Sequence, residues 1–81
     1  MLGMLKFPEG KRSTYADVGG IVTDAEGREC LVGLTHEESV FLLSCDSNLE
    51  RGLRLAPAER TRYHLLYRRL RAALNELESN R

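Results

Sequence analysis

The chain contains no tryptophan, and only five of its 81 residues are aromatic. A core with so little aromatic area gains less from burial than most. Cysteine is equally sparse. Cys30 and Cys45 are too few to staple a disulfide scaffold, so both are expected as free thiols in a reducing cytoplasm. No run approaches the roughly 18 apolar residues of a membrane span. The apolar start, Met1 to Leu5, is broken by Lys6 and Pro8, which argues against a secretory signal. Net charge is zero, which removes any global bias toward nucleic acid or an anionic membrane.

Motifs for chemistry are missing too. Cys30, His36, Cys45 and His64 are the available soft ligands, and none pairs with another at the close spacing that zinc sites use. Gly19-Gly20 is not part of a G-x-x-x-x-G-K-[ST] phosphate cradle. No glycine elbow or orienting third residue accompanies a Cys–His pair. Glu37 and Glu38 are adjacent, so on a helix they diverge by about 100° and suit the helix dipole better than paired acid–base work. The sequence therefore predicts no catalytic residue, no metal, no cofactor and no enzyme.

What is present is enough for a small globular fold. Apolar residues make up 42% of the chain, too many for a disordered segment. The longest periodic stretch is Leu55 to Asn80. Pro57 suits a first helical turn, where its missing N–H has no partner to lose. Tyr63, Leu66, Tyr67, Leu70, Ala73, Leu74 and Leu77 fall within an arc of roughly 120° on that helix. Core packing is the expected role of that stripe. Leu65 and Ala72 form a second apolar seam on the far side, which predicts a second contact. Thr35 with Glu38 makes a capping box for another helix, running to about Arg51 and ending at Gly52. A third strand over Ser39–Cys45 is the weaker alternative.

Upstream, Met1–Arg12 reads as a loose arm and residues 13–81 as one domain. Ser13–Thr23 is rich in strand formers, with Gly19-Gly20 as a bulge. Asp24-Ala25-Glu26-Gly27 is a turn, and Arg28–Leu34 a returning strand. The expected fold is α+β, ordered β-β-α-α, with a two-stranded antiparallel hairpin packed on an αα-hairpin. Ile21–Arg28 followed by Gly33–Glu38 resembles two fragments of PAS sensor domains, a strand with a D-x-x-G turn and a helix opening on G-Y-T-x-E-E. That resemblance implies a helix between the fragments and three closing strands. Only Glu29–Val32 stand between them here, and no stretch supplies those strands. The shared patterns reduce to a hairpin turn and a capping box.

Charge is unevenly placed. Ser13–Glu50 carries eight acids and one base, whereas Arg51–Arg71 carries seven arginines and one acid, local charges of −7 and +6. Arg60, Arg62, Arg68, Arg69 and Arg71 are the residues expected to touch an anionic partner. Arginine outnumbers lysine ten to two, a bias common in GC-rich bacterial genomes. Two strands alone are marginal, which predicts a homodimer, with the hairpins of two copies pairing into a four-stranded sheet or, alternatively, with the Leu65 and Ala72 seams in contact. The functional expectation is a small non-enzymatic bacterial protein acting by protein–protein contact. The alternative is a nucleic-acid-associated protein using the arginine-rich helix.

Overall fold

A computed structural model describes residues 3–8 and 10–79 of the chain. The elements run in the order α1 (Lys11–Asp17), β1 (Ile21–Thr23), β2 (Glu29–Leu31), α2 (His36–Glu50) and α3 (Pro57–Ser79). The antiparallel hairpin followed by two helices is the expected β-β-α-α arrangement. It is preceded by a short helix that strand propensity does not anticipate.

That helix corrects the reading of Ser13–Thr23 as one strand. Residues 13–17 are helical, and the strand begins at Ile21. Gly19-Gly20 is a helix stop rather than a bulge. The Gly19 N–H donates to Ala16 O and the Gly20 N–H to Tyr15 O, with Gly19 in left-handed geometry at φ 73°. This paired closure satisfies carbonyls that the last turn would otherwise orphan. A side chain at Gly20 would press on Tyr15 O at 3.2 Å and on Leu74 at 3.3 Å. The tight closure therefore also seats α1 beside α3.

The hairpin pairs Ile21 with Leu31, Val22 with Cys30 and Thr23 with Glu29. Its turn is held by Asp24, whose Oδ1 accepts from the Glu26 and Arg28 N–H groups. The second strand is shorter than expected, because Val32–Leu34 turn away toward α2. Leu31 and Cys30 are both buried, so neither face of β2 is left to solvent. The other edge of β2 meets the N-terminal segment. Glu29 N–H donates to Gly3 O, and the Leu5 N–H donates to the Glu29 carboxylate. Arg12 closes on the same carboxylate at 2.7 Å. Within the stretch read as a loose arm, residues 3–8 are thus docked, and Leu5 joins the core. Lys11 and Arg12 belong to α1, while Met1, Leu2 and Glu9 lie outside the described residues.

Residues 39–45 are helical, and the strand alternative falls. The capping box is complete: Thr35 Oγ1 accepts from Glu38 N–H, and Glu38 Oε1 accepts from Thr35 N–H. Gly52 and Leu53 close the far end on Leu49 and Asn48 carbonyls. In α3, the Glu59 carboxylate reaches back to the Ala56 N–H beside Pro57. The core gathers Leu5, Leu31, Leu34, Leu42, Leu43, Leu66 and Leu70 from every layer. Of the expected α3 stripe, Leu66 and Leu70 are buried and Tyr63, Ala73, Leu74 and Leu77 are half-buried. Tyr67 is 38% exposed. Asn80 lies outside the described residues.

Candidate functional site

The five arginines do not share one surface. Arg62 lies 4.6 Å over the Phe41 ring, a cation–π contact that ties α3 to α2. Arg69 donates to Glu38 at 2.9 Å and to Gly33 O at 3.2 Å, so it clasps the start of α2. Arg68 is exposed on the back of the helix. Arg60 and Arg71 face the opposite flank from Arg62 and Arg69. Among the described residues, Arg60, Arg68 and Arg71 make no ion pair.

That opposite flank borders a groove. Adjoining hollows run along α3 and share walls. A hollow of about 340 Å³ at the αα-corner is lined by Leu49, Leu53, Leu55, Arg54, Arg60, Tyr63 and His64. The next, about 380 Å³, keeps Tyr63 and His64 and adds Lys11, Tyr15, Asp46 and Tyr67. Beyond it, Val18, Arg71 and Leu74 carry the trough toward Glu78. From Arg60 to Glu78 a helix rises about 27 Å. The walls come from α1, the C-terminal half of α2 and the loop residues Leu53, Arg54 and Leu55 on one side and α3 on the other.

Position on the helix explains the lining. Arg60, His64, Tyr67, Arg71 and Glu78 recur at three-, four- and seven-residue intervals, a strip beside the core stripe. That signal was readable in the sequence, but it merged with the core stripe at Tyr67. Lys11, Arg54 and Asp46 come from other elements and carried no local signal.

The groove floor is aromatic and hydrogen-bonded. Tyr63 donates to Asp46 Oδ1. Burial pushes the Tyr63 phenol well above its ordinary range, and the Asp46 hydrogen bond adds to the shift. Tyr15 is pushed up to about 12, first by burial and then by the nearby Asp46 charge. Both phenols therefore stay protonated and serve as donors or apolar walls, not as bases. Tyr63 and Tyr67 rings sit 6.0 Å apart, centroid to centroid. Elsewhere Cys30 and Cys45 are buried, with thiols raised chiefly by desolvation, a setting that suppresses the nucleophilic thiolate. No group of three metal-type side chains is gathered among the described residues.

The groove is apolar at the αα-corner, aromatic in the middle and cationic along the rim. Exposed Leu49, Leu53 and Val18, at 44%, 49% and 45%, are concentrated along it. Comparison with family models, curated proteins and solved structures finds no match to this chain.

Proposed function

We propose that the protein is a non-enzymatic interaction protein and that the α3 groove is its partner surface. One observation carries this reading: half-exposed apolar side chains and cations that make no ion pair among the described residues line the same trough. Apolar patches of this kind on a small protein mark contact sites. The groove offers charge and shape, with no convergent acid, base and nucleophile. The proposal includes a homodimer formed through the back of α3, which leaves the groove free, and a bacterial cytoplasmic setting. The free thiols and the arginine bias support that setting.

A photo-crosslinking residue placed at Leu53 tests the reading in cells that express the protein. Discrete protein adducts at Leu53, absent with the same residue at exposed Ser44, are expected. Nucleic-acid adducts at Leu53 would instead support the second reading, which rests on Tyr67 lying exposed between Arg60 and Arg71. That reading further requires oligonucleotide affinity that falls steeply with salt.

A further inference from the structure

The interaction reading leaves the occupant of the groove open, and the groove's own chemistry narrows it. We propose that the trough receives an acidic amphipathic helix. Leucine-type anchors lie against Leu49 and Leu53, and carboxylates lie against Lys11, Arg54, Arg60 and Arg71. The inference rests on the interaction reading given above.

Length and shape come first. A trough of about 27 Å matches roughly 18 helical residues, or five turns. Helices α1, α2 and α3 form most of its walls, and the α2–α3 loop residues Leu53, Arg54 and Leu55 close the αα-corner. No strand residue lines it, so an extended peptide has no sheet edge to add to. A helix laid between helices is the recognition mode that remains, anchored every three or four residues.

Charge sets the sign of the partner. Lys11, Arg54, Arg60 and Arg71 make no ion pair among the described residues, whereas Arg12, Arg28 and Arg69 all do. The acid in the floor, Asp46, is engaged by Tyr63, and Glu78 stands at one end. Unpaired cations around an apolar strip select an anion with an apolar face. Leu49, Leu53 and Val18 also argue against single-stranded nucleic acid, since aliphatic side chains give bases no ring to stack on. A second copy of this chain fits poorly too, because the same flank of its α3 would bring Arg60 and Arg71 against their own counterparts.

The test is fluorescence anisotropy of labelled probes with the full chain. One probe is an 18-residue peptide with leucines on one helical face and glutamates beside them. Its controls are the same composition with the leucines scattered, the same peptide with lysine for glutamate, and an 18-nucleotide mixed-sequence DNA. Micromolar binding of the first peptide alone is expected. Leu53→Ser and Arg60→Glu should each weaken it by about tenfold, the effect of one well-placed contact. Both positions are exposed, and circular dichroism would confirm that each variant folds. Amide shifts on peptide addition should map to Leu53, Tyr67 and Val18. Equal binding of the scattered peptide, or binding of DNA but not peptide, overturns the proposal. If no probe binds while protein adducts still form at Leu53, the occupant is wrong and the interaction reading stands. If those adducts are absent as well, both fall.

Discussion

Gly33 sits where two constraints coincide. Its φ is +83°, and a Cβ there would lie 2.9 Å from the Ala73 methyl. Left-handed backbone alone costs a residue with a Cβ roughly 1–2 kcal/mol. The overlap adds to this, because Ala73 belongs to a packed helix that cannot retreat freely. Gly33→Ala should therefore lower unfolding stability by about 2–3 kcal/mol, read from the urea midpoint. Adding Ala73→Gly should return the steric part, so the double variant should lose less than the two single losses together. Additive losses would mean that the two residues do not touch. Ser39 is the second such residue. It is fully buried, its Oγ accepts from the Leu31 N–H at 2.8 Å, and it donates to Thr35 O at 2.7 Å. Ser39→Ala leaves the Leu31 amide in an apolar core without an acceptor, at a cost of about 1–3 kcal/mol. Faster hydrogen exchange at Leu31 should accompany the loss. Unchanged exchange there would show that a different acceptor takes over.

At the scale of elements, the docking of the N-terminal segment hangs on one carboxylate. Glu29 accepts from Arg12 and from the Leu5 N–H, and these hold its pKa below the ordinary range, Arg12 contributing most. A carboxyl lowered in this way stabilises the fold above its unfolded value, about 4.3. That stabilisation is lost as pH falls through the lower folded value. Acidification below about 4 should therefore free residues 3–7 before the helices melt. Methyl signals of Leu5 would report the release, and Glu29→Gln should abolish the step. The same scale shows what the sequence discloses. The bounds of α2 follow from Thr35, Glu38 and Gly52, and the start of α3 from Pro57 and Glu59, because caps act within a few residues. Helix α1 was hidden. Thr14, Tyr15 and Val18 favour strands locally, and a Gly-Gly pair fits a bulge as well as a helix stop. Docking of Tyr15 near Phe7 and Leu74 decides between them, and that contact is tertiary. The arginines follow the same logic. Their positions on α3 were legible, but Phe41 and Glu38, which occupy Arg62 and Arg69, come from α2.

At the scale of the whole molecule, the two sides of α3 should respond to salt in opposite ways. The groove flank is cationic and should bind an acidic partner less well as salt rises. The back of α3 carries Leu65, 55% exposed, with Ala58 and Ala72 also exposed. Two such helices packed antiparallel about a point between residues 68 and 69 would set each Leu65 against its partner's Ala72. They would also bring the two Arg68 side chains close to the two-fold axis, since Arg69 is drawn aside by Glu38. Like charges at the axis oppose association, and screening relieves them. Dimerisation through this seam should therefore strengthen from low to moderate salt. Sedimentation equilibrium at micromolar concentration would measure it, and the melting temperature should rise with protein concentration. Leu65→Glu should give a monomer whose melting temperature no longer depends on concentration. The hairpin is the competing interface. Gly3 already covers the outer edge of β2, which leaves the three residues of β1 to pair with a second copy. A dimer that survives Leu65→Glu but is lost with Thr23→Pro, which removes an outward-facing donor of β1 and leaves the Val22–Cys30 pair intact, would move the interface there. A monomer under all these conditions would leave the apolar seam as ordinary exposed surface and the groove as the site of contact with other molecules.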